Sequence, residues 1–430
     1  MAPRVELALG GRTAATARYL TWAPTAATLR VTDPDGATAP IRVRLRTRPG
    51  STGRHWFRRT PIAAPATTLT LDLATNGTPS PFLLSGRFGF ASTADGDTVL
   101  QVRATDATLR SVKVTSAAGN ITGEVSSDGS QWVAGDRLEP GTKYTMKTVA
   151  DDDNGEEVTA NQTFTTQALT LDQQTYPSVA PLQGETVGVG MPVVVTFDVP
   201  VTDRAEFEKN MTVTSTPAQP GSWYWLSDTE AHWRPKAYWK AGTDVDVDID
   251  INGVAAGGGI YGQEDREVKF EVGDAHIYRV DMKTHQMKVL SNGKLLRTIP
   301  ITTGEQPDFT TRSGIKVIVE KFDSKRMNSE TVGITGTEAY DIDNVQWAMR
   351  VTYSGEFIHA APWSVGSQGY ANVSHGCTGM STDNAAWLYA MSVRGDVVEY
   401  TGTERKMEPG NGYSDWNVNY ADYKKGSALS

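Results

Sequence analysis

The chain contains one cysteine, Cys377, and six histidines: His55, His232, His276, His285, His359 and His375. Only the last two lie near the cysteine. His359 is followed by fourteen residues and then by Ser374-His375-Gly376-Cys377-Thr378-Gly379. Thiol chemistry needs a thiolate, a base or cation that lowers the thiol pKa, and donors for the oxyanion formed on an attacked carbonyl. A histidine placed by the fold supplies the base, and Gly376 lets the backbone approach closely just before the nucleophile. Taken singly, a cysteine reads as a small buried hydrophobe and a histidine as a satisfied structural residue. Together they leave nucleophilic catalysis and a structural role both open. One cysteine and two histidines at this spacing form no recognisable zinc pattern, and a lone cysteine excludes an internal disulfide framework.

Such a site needs a scaffold. From residue 275 the sequence reads as a compact mixed domain, assigned to 273–403. Residues 277–281 and 286–290 flank Lys283-Thr284-His285 as a hairpin. Residues 382–392 form the clearest helix of the chain, capped by Thr382 or Ser381, with Gly395 just past its end. Its N-terminal dipole is expected to favour a Cys377 thiolate. Residues 396–400 return as a strand. The extension at 404–430, rich in Trp, Tyr and Gly, is expected to pack back on this domain.

Upstream, 430 residues imply several domains. Abundant Gly, Thr and Val without long helical periodicity make the chain mainly β. The net charge of −9 argues against nucleic acid as the principal partner. Residues 1–105 carry 13 Arg, no Lys and 6 acidic residues, a net of +7, leaving 28 basic and 44 acidic residues, −16, for the remainder. This shift places a domain boundary near 105. Residues 41–48 alternate Arg with apolar residues and 68–73 alternate likewise, so 1–105 reads as an Arg-rich β-sandwich-like module. Its arginine row suits an anionic wall polymer, or is simply a solvated strand face.

An internal echo follows. Trp132, Leu138, Pro140-Gly141-Thr142 and Tyr144 are matched by Trp233, Tyr238, Ala241-Gly242-Thr243 and Val245. The echo predicts two related β-sandwich modules, at 106–167 and 168–272. The first residues lack the charged and apolar regions of a signal peptide, and no apolar run reaches the roughly 18 residues of a membrane span.

The pattern of His359, a gap of fourteen and Ser374-His375-Gly376-Cys377 resembles the signature of the L,D-transpeptidases, or YkuD-type domains. The similarity continues through residues 356–364. It extends to Trp223-Tyr224-Trp225 and to His232-Trp233-Arg234-Pro235, which look like the immunoglobulin-like modules of actinobacterial members. The resemblance implies that Cys377 is the nucleophile and His359 the general base, with Ser374, His375 and Gly376 shaping the site. Backbone N–H groups near Gly376 and Cys377 would form the oxyanion hole. It also implies a largely β catalytic domain under a lid at 323–345, holding Gly333, Gly336 and Tyr340, and substrate contacts from Tyr340, Trp363, Ala360 and Thr378. The implied reaction is two-step acyl transfer between peptidoglycan stem peptides outside the membrane, with no metal or organic cofactor and with carbapenems as inhibitors. Hydrolysis of the same acyl-enzyme, or wall binding without catalysis, are the alternative readings. Two positions depart from the common pattern: Gly379 removes a side chain often present after the cysteine, and Ala360 leaves only its carbonyl to orient His359.

Overall fold

The computed structural model describes residues 100–430 except 105, 106, 153, 154 and 167, together with the backbone of five strands between Arg4 and Gly89. The side chains of the arginine row at 41–48, and with them the expected wall-polymer face, lie outside the described residues, as does the alternating run at 68–73. Two compact units divide the chain, Met1–Leu171 and Asp172–Ser430.

In the first unit a sheet ordered Phe88–Gly89, Gln101–Ala104, Gln131–Ala134, Gly123–Val125 faces another ordered Glu157–Thr165, Lys143–Asp152, Ala107–Thr115, Asn120–Ile121. Period-two alternation along Lys143–Asp152 sends Tyr144, Met146, Thr148 and Ala150 inward. There they meet Trp132 and Val102 from the opposite sheet. The boundary expected near 105 therefore falls inside this sandwich. Val102 is fully buried and pairs with Trp132, so the strand before residue 106 belongs to its core. Lysine usage reports surface composition, whereas core periodicity runs across the shift.

The second unit opens with another sandwich. Pro177–Ala180, Val193–Phe197, Glu230–Pro235 and Gly221–Ser227 form one sheet; Thr186–Val187, Arg266–Val272, Asp244–Ile249 and Met211–Thr216 form the other. The echo has a physical basis. Gly141 and Gly242 both turn the chain at positive φ, +62° and +73°. A feature missed in the sequence completes it. Gly123 and Gly221 each pair with the residue two after the buried tryptophan of the neighbouring strand. A Cβ at either would lie 2.3 Å or 2.1 Å from the ring of Trp132 or Trp233.

The domain that begins near residue 275 comprises β1 (His276–Asp281), β2 (Gln286–Ser291), β3 (Lys294–Pro300), β4 (Gly314–Val317), β5 (Glu320–Asn328), β6 (Asp341–Arg350), β7 (Phe357–Ala360), β8 (Thr378–Met380), α1 (Thr382–Met391) and β9 (Val397–Thr401). One sheet runs β3-β2-β1-β9-β4 and the other β5-β6-β7-β8. Ala385 and Leu388 of α1 are buried with Met349, Ile358 and Ala360, and Ser381 caps α1 by accepting from the Asn384 N–H. No break in the core separates this domain from the preceding sandwich. Val187, Val189 and Met191 share a cluster with Val317, Val319 and Val397, and Gly188 and Gly190 donate to the carbonyls of Arg394 and Gly395 at 2.8 and 2.9 Å.

The C-terminal extension divides between two partners. Its first half packs on the domain that begins near residue 275: the Met407 N–H donates to the Ser313 carbonyl at 2.9 Å, Glu408 pairs with Arg312, and Asn411 accepts from the Ser354 N–H at 2.9 Å. From Asp415 onward it packs chiefly on the sandwich, with Asn417 still accepting from the Ile315 N–H at 2.8 Å. Asp415 pairs with buried His232 at 2.9 Å, and the Arg234 guanidinium lies over the rings of Trp416 and Tyr423. Aromatic content signalled burial; it did not say against what. Among the described residues no helix is long and apolar enough to cross a membrane.

Candidate active site

All four residues of β7 are buried. The strand pairs in parallel with β8, setting His359 opposite Gly379 and Ile358 opposite Thr378. Cys377 is the residue just before β8. The parallel crossover thus gathers Cys377 and His359 around one cavity of about 420 Å³, with Tyr340, Trp363, Ser374 and His375 also in its wall.

The imidazole is fixed by its own strand. His359 Nδ1 lies 2.8 Å from the Ala360 carbonyl. An oxygen that only accepts requires Nδ1–H, which leaves Nε2 as the basic nitrogen. Burial pushes the His359 pKa below its ordinary value, and the Ala360 carbonyl offsets part of this. Trp363 stacks on the imidazole with centroids 5.9 Å apart.

The thiol is 9% exposed, and Sγ sits 3.6 Å from the Gly355 carbonyl. Burial pushes its pKa up to about 11; the Phe357 N–H pulls it down, Glu356 raises it, and Lys316 and Arg350 lower it. Burial therefore acts against the depressed thiol pKa expected from the sequence. Desolvation of both groups favours a neutral thiol beside a neutral imidazole. The expected help from a helix dipole is absent as well. β8 intervenes between Cys377 and α1, and the first turn of α1 is closed by Ser381.

Ser374 acts on the turn. Its hydroxyl donates to the Cys377 carbonyl at 2.6 Å and accepts from the Gly376 N–H at 3.2 Å. Of the two amides expected at the oxyanion, that of Gly376 is therefore directed into the turn. Gly376 has φ +124°, which favours glycine. Its carbonyl accepts from Thr311 at 2.8 Å, whose hydroxyl in turn accepts from the Gly304 N–H. His375 lies against Phe309 and Tyr340, with centroids 4.4 and 5.0 Å away, and its Nε2 is 3.2 Å from Glu338.

The segment expected as a lid comprises the end of β5, two short 3-10 turns (Ser329–Val332 and Gly336–Glu338) and the start of β6. It lends Met327, Tyr340, Ile342 and Val345 to the cavity. Burial, then the neighbouring Cys377, pushes the Tyr340 hydroxyl up to about 12, so it remains a donor at neutral pH. Trp363 is 58% exposed at the cavity wall. The expected substrate contacts from Thr378 and Ala360 are not supported. Thr378 is fully buried and bonded to the Tyr400 hydroxyl at 2.8 Å, and Ala360 is buried with its carbonyl turned to His359. At Gly379 a Cβ would lie 2.8 Å from Ala361 and 3.1 Å from Thr302, so this backbone arrangement leaves little room for a side chain.

Sequence reasoning missed Thr311, which holds the Gly376 carbonyl and is itself bonded by Gly304; Thr302, which pairs with Gly379 beyond the turn; and the buried Lys316–Glu356 pair. Sequence distance hides these partners. The other described histidines are held by partners away from the thiol: His232 pairs with Asp415 and Glu230, His276 with Asp396, and His285 Nδ1 lies 3.0 Å from the Asn372 side-chain oxygen.

A buried thiol and a basic imidazole nitrogen in one cleft of a β-rich domain are the components of cysteine acyl chemistry, ending in transfer or hydrolysis. Residues 275–399 match the L,D-transpeptidase catalytic domain, and residues 91–255 match a bacterial Ig domain. L,D-transpeptidase 2 of Mycobacterium tuberculosis (strain CDC 1551 / Oshkosh) is 36% identical over 366 residues, covering 83% of this chain and 88% of that protein. L,D-transpeptidase 5 of M. tuberculosis (strain ATCC 25618 / H37Rv) is 34% identical, covering 77% and 73%. A solved L,D-transpeptidase in complex with imipenem is 39% identical over 52% of this chain and 97% of its own, with a TM-score of 0.46. The chain belongs to the L,D-transpeptidase family, whose mechanism is acyl transfer through a cysteine.

Proposed function

We propose that Cys377 and His359 cross-link peptidoglycan stems by a two-step exchange. His359 Nε2 takes the thiol proton as Sγ attacks the carbonyl of a diamino-acid residue in a tetrapeptide stem. The tetrahedral adduct collapses, the C–N bond breaks, and D-Ala leaves with the proton returned by His359. A side-chain amine of a second stem then attacks the thioester, passes its proton to His359, and releases Cys377. The protonated Tyr340 hydroxyl and the Cys377 N–H are the donors for the oxyanion of each adduct. The observation that carries this reading is the His359 Nδ1 contact to Ala360 at 2.8 Å in the cavity shared with Cys377. It directs the basic nitrogen without any side-chain orienter.

The reading places the enzyme outside the membrane, at the wall. It also makes carbapenems suicide acyl donors for Cys377. Incubation with disaccharide-tetrapeptides and analysis of products by mass tests the function. A cross-linked dimer lacking one D-Ala is expected. Release of D-Ala without dimer would make the enzyme a carboxypeptidase, and no change at all in a folded protein would remove both activities.

A further inference from the structure

Beneath the Gly376–Thr378 segment lies a buried charge cluster that acyl transfer as described above does not use. Lys316 on β4 has no exposed surface. Its ammonium donates to Glu356 and lies 3.7 Å from the centre of the Tyr400 ring. Glu356 also accepts from the Arg312 backbone N–H and guanidinium at 3.1 and 3.0 Å, and Arg312 reaches on to Glu408. The cluster meets the nucleophile on two sides. Glu356 lies between Gly355 and Phe357, the two residues whose backbone groups contact the sulfur. Tyr400, under the Lys316 ammonium, holds Thr378, the residue after Cys377. Burying two charges offers little net stability compared with apolar side chains of similar volume, so stability alone does not account for the pair.

We propose that Lys316 is a positioning residue for the acyl-transfer step: its ammonium holds Glu356, and through it the Gly355–Phe357 backbone against the Cys377 sulfur, and opposes the negative charge that forms on that sulfur. The proposal rests on Cys377 being the nucleophile. Glu356 works in the opposite sense, since its carboxylate repels a thiolate. The other titratable or charged groups that face the sulfur or its cavity are Arg350, Tyr340, Tyr400, His359 and His375. Substitution at 316 or 356 leaves all of them in place.

The test is a cycle of four proteins: wild type, Lys316→Met, Glu356→Gln and the double variant. The readout is the initial rate of alkylation of the single cysteine by iodoacetamide at pH 8, followed by intact mass. A neighbouring cation changes a thiol pKa by roughly one unit. The accompanying change in intrinsic nucleophilicity trims the resulting tenfold loss of thiolate to about three- to fourfold in rate. Lys316→Met should be slower than wild type by that factor, and Glu356→Gln faster. Where Lys316→Met does not fold, Glu356→Gln and the double variant decide, because they differ only in the Lys316 ammonium; the double variant should be the slower by the same factor. A structural role alone would slow both single variants or neither, and equal rates across either pair would overturn the proposal. Alkylation does not require turnover. Failure here is thus distinct from failure of the catalytic reading, in which Cys377→Ala would retain transpeptidation.

Discussion

The sign of the thiol perturbation makes the sharpest prediction. Cys377 is held at about pKa 11 because its burial outweighs the Phe357 N–H and the Lys316 and Arg350 cations. The ordinary value for this thiol is 9.0, so the thiolate fraction at pH 7 should be lower than that of an unperturbed cysteine by roughly 100-fold. A more basic thiolate is intrinsically more nucleophilic, which restores about 6–10-fold at a Brønsted slope of about 0.4–0.5. The net expectation is alkylation about 10–16-fold slower than for cysteine in the same protein unfolded in denaturant, before any steric hindrance. The assay is carbamidomethylation followed by intact mass between pH 6 and 10. The rate should climb close to tenfold per pH unit and show no plateau below pH 9. His359→Ala should leave that slope in place, because a neutral imidazole does not support a resting thiolate. A plateau below pH 7, abolished by His359→Ala, would refute the neutral pair and restore a resting thiolate–imidazolium.

His359→Ala should nonetheless lower transpeptidation by about 10²–10⁴-fold, the usual contribution of a general base; a rate within threefold of wild type would move the base elsewhere. His232 is a stability residue. Burial works against its charge, but Asp415 and Glu230 prevail and raise its pKa to about 9. This stabilisation is fully present below about pH 6.5 and fades as pH rises through 9. His232→Gln should therefore lower Tm more at pH 6 than at pH 10, with a cost at pH 6 near about 3 kcal/mol; an equal loss at both would refute the pairing. Gly221→Ala places a methyl 2.1 Å from the Trp233 ring and should cost about 1–3 kcal/mol by overpacking, read as a shift in denaturation midpoint; a neutral substitution would show that the ring can move aside.

The chemistry was largely legible in the residues, and its environment was not. Ser374-His375-Gly376-Cys377 and His359 stood out as candidate reacting groups through a spacing that resembles the family signature, and the fold gathers Cys377 and His359 at one cavity. The hairpin of β1 and β2, the helix α1 and the sandwich echo were legible because periodicity, caps and glycine turns are local signals. The thiol pKa was not, because its sign depends on desolvation by chain segments remote in sequence. The helix-dipole expectation failed over the three residues of β8, too short a strand to announce itself before a capped helix. Lys316 and Glu356 lie forty residues apart and read separately as ordinary charged residues. The C-terminal path over the sandwich depends on Arg234 finding three aromatic rings, Trp416, Tyr420 and Tyr423, a match visible only after folding.

The central claim is that Cys377 carries the acyl group. Incubation with imipenem, a strained acyl donor, and intact-mass analysis address it directly. One drug mass should be added to the full chain and map to the peptide holding Ser374 to Met380. The adduct should persist for lack of a positioned water, and Cys377→Ala should gain nothing. An adduct on a serine, an adduct that survives Cys377→Ala, or no adduct on a folded protein would contradict the account.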